Sequence, residues 1–195
     1  MVIIKLKKKI NMTTNKTTSE FQIADQLGRD LFTNYCHNQI PGCRVTKYSK
    51  DDYAVWDVAY TIGTSKYIGE IKVREEYESD VFSNWYLEKK KSDSLNEIKK
   101  QVDTKQGKPT KIHYINIFPK SQNDFRIYDI TNVQDEQKPM TVKLPYTTKG
   151  LDLMVDKEVY YCNANNETDI TLKPRLDKLI PIVKQDEYED DRLPF

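Results

Sequence analysis

A chain of 195 residues holds one domain with its own core, and 13 Tyr, 6 Phe and 2 Trp give it aromatic material that a disordered chain lacks. Hydrophobic residues make up 37% and charged residues 31%, for a mean hydropathy of −0.77. Thirty-one basic against 30 acidic residues leave a net charge of +1, which excludes a sequence-blind polycation and confines nucleic-acid contact to a local patch.

Residues 1–18 read as a basic, Thr/Asn-rich lead-in, with Met12 as a second candidate start. No apolar run is long enough for a signal peptide or a membrane span, so a soluble, cytoplasmic protein is expected. Ser19, three residues before Gln22, opens a capping box, and Phe21, Ala24, Leu27, Leu31 and Phe32 recur at helical spacing. The pattern predicts a helix over 19–37, ended by Ile40-Pro41-Gly42. Three strands are expected next, over 44–48, 53–62 and 66–74, with Gly63-Thr64-Ser65 as the turn between the last two. A second helix is expected over 84–104, with Trp85, Leu95, Ile98 and Val102 on one side. Residues 112–118 form an apolar run of the kind buried on both faces, and 125–130 alternate as a further strand. Beyond 135, strands are expected over 140–144 and 158–162, and a short element over 176–183. Residues 185–192 carry five acids against one Arg, a solvated tail. The order indicates a mixed α/β fold, an α+β mixed sheet. It divides into a core over 19–130, a β-rich extension over 131–184 packed on it, and an acidic tail over 185–195.

The chemistry concentrates in Trp56 to Glu75, WDVAYTIGTSKYIGEIKVRE. Side chains alternate along a strand, so Val55, Asp57 and Ala59 share one face, as do Glu70 and Lys72, with Gly69, Ile71 and Val73 on the other. A two-residue type II′ turn at Gly63-Thr64 sets residue 57 opposite residue 70; a longer loop would shift the pairing by one or two places. In the first register two carboxylates and an ammonium gather on strands otherwise rich in apolar residues. Adjacent carboxylates repel, and burying them is costly without a counter-charge or a metal. Oxygen ligands favour Mg²⁺ or Mn²⁺, and a neighbouring Lys orients or helps deprotonate an attacking water. The alternative is a solvated sheet face on which Lys72 forms a cross-strand ion pair.

Asp57, twelve intervening residues and then Glu70-Ile71-Lys72 resemble the D…ExK signature of the PD-(D/E)XK nuclease superfamily. The expected order of a helix, three antiparallel strands with the motif on the second and third, a helix and a strand resembles that superfamily's core over residues 19–130. Trp56 stands where the name-giving pattern has Pro, a position often replaced in the superfamily. The resemblance implies that Asp57 and Glu70 bind the metal through their carboxylates and Ile71 through its backbone carbonyl, while Lys72 positions the nucleophilic water. Glu20 resembles the acid that many members place near the start of the first helix, pointing at the metal; the alternative is an acid favoured by the helix dipole.

Extending the apolar face of the second helix backwards from Val102, Ile98 and Leu95 reaches Lys91 and then Glu88. In related nucleases a helix in this place supplies a Lys, Gln or Glu near the scissile phosphate; the alternative is a solvated helix end. Residues 84–111 hold eight Lys against four acids. Lys89, Lys90 and Lys91, with Arg74 on the strand face of Lys72, are the candidate nucleic-acid contacts, and Trp85 and Tyr86 either stack on bases or anchor the helix.

Three Cys without a CxxC pair and two His exclude a Cys/His zinc site and a disulfide framework. GxxxxGK[ST] and GxSxG are absent, so neither a nucleotide cofactor nor a serine hydrolase is indicated. The expected function is a Mg²⁺- or Mn²⁺-dependent nuclease hydrolysing phosphodiester bonds, in DNA rather than RNA, with no membrane partner and a homodimer left open. The alternative is a non-catalytic nucleic-acid or protein-binding module on the same fold. A Lys-, Asn- and Tyr-heavy composition is that of an AT-rich genome, and a small stand-alone nuclease suits a bacteriophage or mobile element, acting in the host cytoplasm.

Overall fold

Apolar spacing and turn residues order the chain as α1 (Glu20–Gln39), β1 (Cys43–Tyr48), β2 (Val58–Ile62), β3 (Ser65–Val73), β4 (Trp85–Glu88) and α2 (Lys89–Gln106), followed by β5 (Thr110–Phe118), β6 (Asp124–Asp129), α3 (Val133–Glu136), β7 (Met140–Pro145) and β8 (Met154–Cys162). The computed structural model describes residues 20–50, 54–146 and 153–163. The lead-in over 1–18, Ser19 of the capping box, the element over 176–183 and the tail over 185–195 lie outside the described residues.

Five strands form one sheet in the order β1-β2-β3-β5-β6, and β4, β8 and β7 form a second. Among the described residues only β3 and β5 are parallel, Glu70 lying beside Tyr114 and Lys72 beside Asn116; the other described pairs are antiparallel. A parallel pair needs a crossover, and α2 provides it. β5 is buried at every position except Lys111, as a central strand covered on both faces must be.

The expected helix over 84–104 is corrected. Its first part is a strand, and α2 begins at Lys89. Trp85 and Leu87 are buried while Tyr86 and Glu88 are exposed, a period of two that a helix does not produce. The strand pairs with β8, Trp85 opposite Cys162 and Glu88 opposite Val159, so its partner is more than seventy residues away. The residues that seat α2 are Ser92, Leu95 and Val102, with Ile98 partly buried. Trp85 is in that core through β4 and not through the helix.

Two apolar cores lie on opposite faces of the large sheet. On one face Phe32, Tyr35 and Cys36 of α1 pack with Val58, Tyr60, Ile71, Ile115, Ile117 and Ile127 of the sheet. On the other, Leu95 of α2 and Trp85, Leu87 and Tyr160 of the small sheet pack with Trp56, Ala59, Ile68, Ile112, Tyr114 and Phe118. Strand alternation therefore sends Glu70 and Lys72 toward α2 and sends Gly69, Ile71 and Val73 toward α1. Among the described residues no helix is long and apolar enough to cross a membrane.

Candidate active site

The β2–β3 hairpin brings the two acids together. Ile62 pairs with Ser65 and Val58 with Gly69, so the loop is the two residues Gly63-Thr64. Gly63 takes a φ of 58° while Thr64 stays out of the positive-φ region, the pattern of a type II′ turn. Continued by one residue, this register brings Asp57 to Glu70, and the two side chains interact. Asp57 lies one residue before β2: its carbonyl accepts from Ser49 N–H at 3.0 Å, continuing the pairing with β1, while its N–H donates at 2.9 Å to Gly69 O, the partner of Val58, an irregularity at the end of the β2–β3 ladder.

β3 runs on past the last paired residue of β2, which opens an edge at Ile71. The Ile71 N–H there donates to Asp57 Oδ2 at 2.7 Å. In a strand the N–H and C=O of one residue project to the same edge, so the Ile71 carbonyl is directed to the side on which the Asp57 carboxylate sits.

Glu70 is 2% exposed. Lys72 Nζ lies 3.2 Å from its Oε1, and Lys91 Nζ lies 2.9 Å from its Oε2. Oε2 is sealed from solvent, and the Lys91 ammonium is its counter-charge. The Lys91 ammonium also reaches toward Ala54 O, at 3.5 Å. Burial by itself would raise the Glu70 pKa, but the charges of Lys72 and Lys91 outweigh it and hold the carboxyl below its usual value. Burial and the neighbouring Glu70 charge push Asp57 the other way, up to about 8. Two adjacent carboxyls are thus driven apart, one ionised and one holding its proton near neutrality. The Glu70 charge raises the Lys72 ammonium above its ordinary value, so Lys72 is a cation.

Tyr114 joins this group and was not singled out from the sequence. It is buried beside Glu70 in the parallel register, and its hydroxyl donates to Tyr86 O at 3.1 Å while accepting from Arg74 Nη2 at 2.7 Å. Arg74 is folded inward: its Nε donates to Asn116 Oδ1 at 2.8 Å, and its guanidinium lies 4.8 Å over the Trp85 ring. The face of Lys72 therefore continues as a buried polar network linking β3, β5 and β4. Lys89 pairs with Asp93 at 2.7 Å, Lys90 is exposed, and Glu88 closes β4, exposed and paired with Lys157 at 2.8 Å. Asp57, Glu70, Ile71, Lys72 and Lys91 are brought together; Lys89, Lys90 and Glu88 are not part of that cluster. Glu20 heads α1, and its side chain lies outside the described residues.

No protein-family model, curated protein or solved structure matches the chain. Among the described residues no group of three or more His, Cys, Asp or Glu could hold a metal. Two carboxylates and a backbone carbonyl on one sheet edge nonetheless make an all-oxygen donor set, the kind that a hard divalent cation prefers. The unfavourable closeness of the Asp57 and Glu70 carboxyls is what such a cation relieves. The donor set fits Mg²⁺ or Mn²⁺.

Proposed function

We propose that this chain is a metal-dependent phosphodiesterase that cleaves nucleic acid, DNA in the first instance, with a site of the PD-(D/E)XK kind. The observation that carries the reading is Asp57 beside Glu70 with Lys72 and Lys91 against the same buried carboxylate. Asp57, Glu70 and the Ile71 carbonyl would hold Mg²⁺ or Mn²⁺, and the bound ion would stabilise charge on the scissile phosphate and lower the pKa of a water. Lys72, half exposed and on the face of Glu70, orients the attacking water and offsets charge on the phosphate. Lys91, reaching in from α2, supplies a second cation at the same acid. The surrounding apolar strands keep the local dielectric low, which strengthens both effects.

A second reading has an observation of its own. Two ammonium groups already compensate the Glu70 charge without a metal, as expected of a binding module that performs no chemistry. Incubating the protein and its Lys72→Ala variant with linear and circular, single- and double-stranded DNA, with Mg²⁺ or Mn²⁺, separates the two. Metal-dependent cleavage lost in the variant supports the phosphodiesterase, and the topology cleaved assigns endo or exo action. Inert wild-type protein on this panel and on RNA leaves the binding module as the better account.

A further inference from the structure

Between β3 and β4 the loop over residues 74–84 carries a surface that neither core uses. Tyr77, Val81 and Phe82 are 41%, 52% and 46% exposed. The rings of Tyr77 and Phe82 meet edge to face at 5.4 Å, and both meet Trp85, at 5.8 and 5.4 Å, so the rings form one patch, with Val81 next to Phe82 in the chain. Glu75, Glu76, Glu78 and Asp80 are exposed along the same loop. Of these, Glu76 has an ion-pair partner among the described residues, Lys120 at 3.4 Å. An apolar patch on an acidic loop has the wrong sign for a phosphate backbone and the right sign for an apolar segment rich in lysine.

The chain carries such a segment. Residues 2–10, VIIKLKKKI, interleave Val2, Ile3, Ile4, Leu6 and Ile10 with Lys5, Lys7, Lys8 and Lys9, four cations for four acids. The topology brings the attachment point to the right end of the molecule. A Cβ on Gly28 of α1 would meet Val73 Cγ2 at 2.9 Å and Ile71 Cγ2 at 3.0 Å, both near the end of β3. Gly42, just past α1, bonds to Gly63 at the start of β3. The helix therefore runs against β3, and Glu20, roughly 12 Å of helix beyond Gly28, lies at the end of the sheet from which the 74–84 loop departs. Residues 11–19 reach up to about 30 Å when extended, enough to pass from one face of the sheet to the other.

We propose that the acidic, aromatic loop between β3 and β4 is the docking surface for the lysine-rich segment Val2 to Ile10 of the same chain. Its apolar side chains lie on Tyr77, Val81 and Phe82, and its lysines face Glu75, Glu76, Glu78 and Asp80. The proposal stands apart from the phosphodiesterase reading. Cleavage of the full chain by a lysine-specific protease, followed by mass spectrometry at Lys5, Lys7, Lys8 and Lys9, tests it. These sites are cut several-fold more slowly in wild type than in Phe82→Ala or in a variant with Glu75→Gln, Glu76→Gln, Glu78→Gln and Asp80→Asn, and high salt removes the protection. Equal rates in wild type and both variants overturn the proposal. Protection that survives both variants places the segment elsewhere, and protection that grows with protein concentration assigns it to a second copy; either result also overturns it.

Discussion

Lys91 Nζ lies 2.9 Å from Glu70 Oε2, joining the first turn of α2 to the middle of the large sheet. Local physics disfavours a lysine there. α2 opens with Lys89, Lys90 and Lys91, has no acid in its first turn and no side-chain cap, and cations at the positive end of a helix dipole cost about 0.3–1 kcal/mol each. A helix start that breaks the usual charge rule is expected where a site needs the charge, and Glu70 is what Lys91 answers.

Replacing that cation tests its role. Lys91→Ala should lower metal-dependent cleavage by about 10²-fold, the scale of losing one preorganised charge at a transition state, and should lower thermal stability, since half of the compensation of a buried carboxylate goes with it. Steady-state kinetics and a thermal melt measure the two effects separately. Cleavage unchanged in the variant would leave Lys91 as a structural counter-ion only.

Glu70→Gln removes the charge that both ammonium groups face. Destabilisation of about 1–3 kcal/mol is expected, below the full loss of a buried pair because both lysines keep access to water. Mn²⁺ binding, followed by calorimetry or electron paramagnetic resonance, should be lost, since one of two carboxylate ligands is gone. A variant that binds Mn²⁺ as tightly as wild type would move the metal away from this pair.

The part of this geometry legible in the sequence is the local part. Gly63 and Thr64 set a two-residue turn, and strand alternation then carries Asp57 to Glu70 and puts Lys72 on the same face. Lys91 was reachable from the spacing of Val102, Ile98 and Leu95, because the helix stripe holds back to its first turn. The same extension fails three residues earlier at Glu88, which belongs to β4 and pairs with Lys157. β4 could not be seen because its partner β8 is distant in sequence and its apolar residues, Trp85 and Leu87, fit a helix stripe as well as a strand. Tyr114 was hidden for a related reason: its place beside Glu70 depends on the register of two parallel strands joined by a helix, and no turn residue encodes that.

Helix α1 tests the packing on the opposite face. Gly28 lies so close to Val73 and Ile71 that a Cβ would stand at 2.9 and 3.0 Å from their methyl groups. Gly28→Ala gains up to about 1 kcal/mol in helix propensity but forces α1 off the sheet, and overpacking of this kind costs about 1–3 kcal/mol. A net loss of stability is expected in urea unfolding, with cleavage affected through Ile71, whose carbonyl is a proposed ligand. A stabilised variant would mean that the two branched side chains turn aside without cost.

His113 predicts a pH dependence of stability. It is buried in β5 on the α1 face, its Nδ1 hydrogen-bonded to the Tyr60 hydroxyl, and burial lowers its pKa to about 4 against the weaker opposing pull of Asp129. An unfolded chain protonates the same ring near pH 6.5. Between about pH 4 and 6.5 the unfolded state therefore binds the extra proton, and the His113 contribution rises with pH across that window by up to about 3 kcal/mol. It is fully present above the unfolded pKa and lost on acidification. Asp57, raised to about 8, works in the opposite sense over an overlapping range, because the folded state holds its proton after the unfolded chain has released it. The two are separated by comparing wild type with His113→Gln, in which the Asp57 contribution is common to both. Unfolding free energies from urea titrations should show a gap between the two proteins that widens as pH rises and levels off above about pH 6.5. A gap that stays constant across the range would mean that the buried ring titrates as it does in water.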